Sequence, residues 1–242
     1  MGNEGERLIK YLVIQSCKYG SYAEQDERIY GIQLSYAGSE YTVFHDACID
    51  MDDFTKNPDF PYGYRSDGTL EVPFGQSYMK FTSIATGTGW HGPIYTHTLS
   101  RPFRLYQLDE FSVIGEMVQS SSSMGSSYVA LFDENMQCVF LIHWGDSWVG
   151  STKGYFSVIY YPQYGGSYSQ SSGYIYSSFT KTGKLWWDPF QGGDGAIMAS
   201  IDGSGSSYPI GEVDNASRVI KYIGVLGYRY NSYNLVDMRI HD

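Results

Sequence analysis

Cleavage of a glycosidic bond takes two carboxyl groups, roughly 5 Å apart for retention or up to about 9.5 Å for inversion. The glutamates are therefore the first residues to weigh. Past residue 60 they are Glu71, Glu110, Glu116, Glu134 and Glu212. Glu134 falls in a turn, and Glu110 adjoins Asp109 at the start of a strand. Only Glu116 stands in mid-strand, on the face it shares with Ile114 and Val118, and it has no carboxylate two or four residues away. If the chain is an enzyme, Glu116 is its catalytic residue. The alternative is a strand glutamate facing solvent or a basic neighbour.

Other catalytic patterns are missing. There is no GxSxG elbow, no HExxH and no Walker lysine loop. Gly87-Thr88-Gly89-Trp90-His91-Gly92 matches GxGxxG, but Pro93 and the alternating Ile94 to Leu99 continue it as a strand. A dinucleotide site needs a helix there, with its N-terminus on the pyrophosphate. The five histidines are scattered singly. His143 with Tyr155 would serve a polysaccharide lyase, although the arginine-rich strand of such enzymes is not found.

Binding chemistry is better supplied. Indole and phenol rings stack on the apolar faces of sugars and leave polar edges for hydroxyl hydrogen bonds. The candidates are Trp90, Trp148, Trp186 and Trp187, with Tyr164, Tyr168, Tyr174 and Tyr176 from a segment biased in Tyr, Ser, Gly and Gln. Trp186 and Trp187 are adjacent, so in a strand they point to opposite faces, and one is expected to be exposed. Trp144 ends the apolar run CVFLIHW and reads as core.

The whole chain agrees with binding rather than phosphate chemistry. It has 242 residues, a net charge of -10 and no basic run, which excludes nucleic-acid binding built on clustered Lys and Arg. No apolar stretch reaches the ~20 residues that span a bilayer. The acidic start Met1-Gly2-Asn3-Glu4 is unlike a signal-peptide n-region. Cys17, Cys48 and Cys138 have no CxxC spacing; Cys17 with Cys48 forms one disulfide, or all three are buried thiols.

The elements that must position these residues are strands. Period-two alternation recurs from end to end, and no dozen residues keep helical spacing. Three strands are expected before residue 46, then a connection rich in Asp and Pro, then a denser series from Leu70 onward that includes Tyr174 to Phe179, Ala196 to Ile201 and Leu235 to Ile240. Asp133 to Gln137 and Asp202-Gly203 mark hairpin turns. The fold class is all-β, with two packed antiparallel sheets.

Trp90-His-Gly-Pro, Phe111 to Val118, the hairpin YVALFDENMQCVFLIHWGDSW and the ending RVIKYIGVLGYRYNSYNLVDMRIHD resemble the concanavalin A-like lectin/glucanase superfamily, particularly laminin-G-like modules. The likeness covers about residues 70 to 242 and implies an antiparallel jelly-roll β-sandwich. Residues 1 to 69 then form an additional N-terminal β region, as an extra sheet or an assembly arm. The E-x-D-x-x-E strand of the glucanase branch is missing. Laminin-G-like folds use loop aspartates for Ca2+, which points to Asp133, Asn135 and Asp146, with Asp194 and Asp202 behind them; the alternative is that these residues cap turns. The expected function is non-catalytic recognition of a polysaccharide or surface glycan on a virion or cell surface. Alternatives are a structural subunit of a virion, tail or filament that self-associates or joins other subunits, and a glycoside hydrolase or polysaccharide lyase.

Overall fold

A computed structural model of the protein describes residues 11–18, 27–36, 44–46, 54–57, 69–76, 78–82, 90–91, 94–118, 125–146, 154–161, 167–191, 195–202, 208–212, 219–230 and 237–241. Among them every regular element is a strand except one 3₁₀ turn at Leu105–Gln107. No helix among them is long and apolar enough to cross a membrane.

A six-stranded sheet carries β1 (Tyr11–Lys18), β10 (Gly125–Asp133), β17 (Val219–Tyr230), β8 (Ile94–Arg104) and β4 (Thr55–Lys56) in that order, with β7 (Trp90–His91) paired to β17. The chain passes through a tight hairpin from β10 into a three-stranded sheet of β11 (Cys138–Asp146), β12 (Gly154–Tyr160) and β13 (Tyr168–Ser171). The nine-stranded sheet runs β16 (Tyr208–Glu212), β15 (Ala196–Ile201), β14 (Phe179–Asp188), β9 (Leu108–Val118), β18 (Asp237–His241), β2 (Glu27–Tyr36), β6 (Met79–Thr82), β5 (Thr69–Glu71), with β3 (Phe44–Asp46) on β2. Most pairings are antiparallel, as expected; β1 with β17 and β18 with β2 are parallel.

β11 to β13 lie across β9, β14, β15 and β16. One buried cluster runs from Leu34 and Leu70 through Phe103 and Val129 to Phe156 and Ile197, so the layers share a core. Alternation along β9 shows the cause: Phe111, Val113, Gly115 and Met117 are buried, while Ser112, Ile114, Glu116 and Val118 between them are half-buried. Gly115 is required by its neighbour, since a Cβ there would stand 2.7 Å from the Trp144 indole. Trp144 is wholly buried and stacks on Phe156, with ring centroids 5.9 Å apart, in line with its place at the end of an apolar run.

β1 pairs with β10 and β17, while β2 pairs with β9 and β6, so residues of the N-terminal β region lie within both large sheets. Ala196–Ile201 forms a strand as expected, and β18 places Met238 opposite Met117 and Ile240 opposite Gly115. The segment from Tyr174 departs from expectation. It pairs only through a single bridge at Ile175, and the strand begins at Phe179 and continues to Asp188.

Candidate functional site

The described exposed aromatics fall at two ends of the sandwich. β14 is antiparallel to β9, with Phe179 opposite Met117 and Leu185 opposite Phe111. At ~3.3 Å per residue, Phe179 and Trp187 are therefore about 26 Å apart.

At the Phe179 end, Tyr174 and Tyr176 are 63% and 62% exposed. Their segment is strapped to β12: Ser172 N–H donates to the Phe156 carbonyl (2.8 Å), and Phe156 N–H donates to Ser172 Oγ (3.1 Å). Ile175 and Gly154 exchange backbone hydrogen bonds of 2.7 and 2.8 Å. Ile175 is half-buried, and the two phenols on either side of it are exposed. Alternating residues of an extended strap lie about 6.6 Å apart. The result is a pair of aromatic faces held on hydrogen-bonded backbone, which lowers the ordering cost of binding a flat, hydroxyl-rich ligand.

At the other end stand Phe190 (91% exposed), Phe74 (105%) and Tyr106 (43%). Phe190 follows β14 in a turn where its N–H donates to Asp188 Oδ1 (2.9 Å). Tyr106 lies in the 3₁₀ turn that leads into β9 and rests against β14. Phe74 occupies the tip of a turn closed by Gln76 N–H to the Pro73 carbonyl (3.0 Å), between β5 and β6. The registers of β6 on β2 and of β2 on β9 aim that turn toward Leu108. These three residues were not singled out in the sequence, although Pro73-Phe74-Gly75 and Asp188-Pro189-Phe190 are turn signals with an aromatic at the tip.

Trp186 and Trp187 differ from the expectation that one of them is exposed. Neither Trp186 nor Trp187 is exposed; both are half-buried. Trp187 packs on the core and is pressed against Gly195, whose φ is +88°, so its ring is committed to the fold. Trp186 is on the opposite face, beside buried Met198 in the ladder. Trp90 occupies β7 beside Tyr230, and Tyr168 pairs with Tyr160 in β13, toward the Trp187 end. Trp148, Tyr164, Asp194 and Cys48 lie outside the described residues. Cys17 stands in β1 opposite Ser126, and Cys138 is buried, its thiol donating to the Phe140 carbonyl at 3.5 Å.

Two other groups of residues separate. Glu116 is half-buried on the outer face, opposite Thr180 on β14 and Arg239 on β18. The next glutamate on that face, Glu110, pairs with Lys184 at 3.1 Å. Six residues of strand put the two carboxylates about 20 Å apart, twice the widest spacing a glycosidase uses. Asp133 is buried in the β10–β11 turn, and its Oδ1 accepts the N–H groups of Asn135 (2.9 Å) and Gln137 (3.0 Å). Asp146 ends β11, eight residues beyond Cys138, or about 26 Å away. Asp133, Asn135 and Asp146 thus have no common point for a cation. Asp202 ion-pairs with Lys181. Among the described residues, no group of three or more His, Cys, Asp or Glu is placed to hold a metal.

His143 and Tyr155 do meet. The Tyr155 hydroxyl is 2.9 Å from His143 Nε2, Ser157 Oγ is 3.4 Å from Nδ1, and the Tyr128 ring stacks on the imidazole with centroids 4.1 Å apart. Burial of the imidazole lowers its pKa to about 3, so it is neutral at ordinary pH.

No family model and no curated protein matches the sequence. Among solved structures, the fold is similar to that described as the CBM2 module of the evolved Dit of Lactobacillus casei BL23 phage J-1. The TM-score is 0.50 at 13% identity, over 88% of this chain and 93% of that one. At this identity the likeness is one of fold: an all-β sandwich.

Proposed function

We propose that the protein is a non-catalytic recognition module, displayed on a virion or cell surface, that binds a polysaccharide or surface glycan. The observation that carries this reading is the pair of exposed phenols, Tyr174 and Tyr176, on a strap fixed to β12. The fold shared with a CBM2 module of a phage Dit protein agrees with it. So does the separation of Glu116 from Glu110, which is too wide for those two to act as a carboxylate pair in hydrolysis.

The test is retention on a panel of immobilised polysaccharides. The Tyr174→Ala/Tyr176→Ala protein is expected to lose binding by about tenfold or more, as stacked rings are worth ~1–3 kcal/mol each by analogy with base stacking. Trp186→Ala is a second arm. Trp187→Ala is unsuitable, because the ring belongs to the core. Undiminished retention by the double variant would remove the basis of the site.

A structural subunit is the second reading, favoured by Phe74 and Phe190, which have no polar handle and stand almost fully exposed at one end. Sedimentation of the same samples over a rising concentration series separates the two. Assembly that persists in the tyrosine double variant supports the subunit reading.

A further inference from the structure

From Gly154 to Thr180 the chain contains no Asp, Glu, Lys, Arg or His. With charged residues at 17% overall, a stretch of that length would hold about four or five. It supplies β12, β13 and the strap, and β13 is the last strand of its sheet. Among its described residues every exposed position other than Gly173 bears a hydroxyl, including Ser169, Ser171, Tyr174, Tyr176, Ser177 and Thr180. Among the described residues beside it, Lys181 pairs with Asp202, and Glu116 stands opposite Arg239 in the ladder.

We propose that the ligand of this rim is an uncharged polysaccharide, not a uronic, sulfated, phosphate-bearing or cationic polymer. The proposal rests on the glycan reading above and names its substrate class. An ion brought against a surface without a counter-charge gives up hydration and gains nothing in exchange. The net charge of -10 also repels polyanions at long range. A neutral sugar chain instead offers C–H faces to the phenols and hydroxyls to the seryl and threonyl side chains. Such binding contains no ion pair for salt to screen, whereas a charged ligand's affinity falls as the Debye length shrinks from about 10 Å at 0.1 M salt to about 3 Å at 1 M.

The experiment measures retention of the intact protein on neutral polymers (a β-glucan, a mannan, a galactan, dextran) and charged ones (alginate, hyaluronan, a teichoic acid, chitosan). Each is run at low and high NaCl. The expected result is retention by at least one neutral polymer, changing less than about twofold between the two salts and abolished in Tyr174→Ala/Tyr176→Ala. Retention by charged polymers alone, weakening with salt, overturns the uncharged assignment and leaves the glycan reading standing. Retention by none removes both.

Discussion

His143 shows how a single residue ties the three-stranded sheet to the six-stranded one. Its imidazole is stacked on Tyr128, bonded to Tyr155 and only 6% exposed. Folded, it protonates near pH 3; unfolded, near the ordinary 6.5. Above pH 6.5 both states are neutral and stability does not depend on this group. As pH falls from 6.5 toward 3, only the unfolded chain takes up the proton, and stability drops by up to about 1.4 kcal/mol per pH unit. His143→Gln keeps an acceptor for Tyr155 and cannot titrate. Its urea midpoint is therefore expected to decline less than that of the natural protein between about pH 7.5 and pH 4.5. Equal declines would mean that the buried imidazole does not govern acid sensitivity.

At the scale of elements, the two N-terminal strands are the sharpest case. β1 pairs with β10 and β17, and β2 lies between β9 and β6. Removing residues 1–69 would strip hydrogen-bonded neighbours from both sheets and expose their edges. The fragment 70–242 is expected to lack a cooperative thermal transition. A sharp transition with intact β-sheet dichroism would make residues 1–69 a separable extension. Much of the strand pattern was legible locally: Ala196–Ile201 is bounded by turn residues, and β9 alternates buried and half-buried positions. β14 was not fully legible, because Lys181 and Gly183 interrupt its inner row. Its partner is Phe156, which a Cβ at Gly183 would approach to 2.8 Å, and such a contact between separate sheets leaves no local period in the chain. The site was half legible for the same reason. Tyr174 and Tyr176 stood among the candidates for their type and segment composition and are exposed, but nothing near Trp187 announced that Gly195 would cover it.

Across the whole fold, the exposed aromatics among the described residues are polarised. Tyr174 and Tyr176 stand at one end of the β9–β14 pair, and Phe74, Tyr106 and Phe190 at the other. A hydroxyl-bearing rim suits a wet, sugar-like partner, and the bare phenyl rings of Phe74 and Phe190 suit a packed protein surface. On the two readings proposed above, one end would meet a glycan while the other would seat the module in a larger assembly. The most direct test of glycan recognition is hydrogen–deuterium exchange on the intact protein with and without a retained neutral polysaccharide. Slowed exchange concentrated between Ser167 and Thr180 is the expected result. Protection confined to the Phe74 and Phe190 turns, with none on the strap, would contradict it.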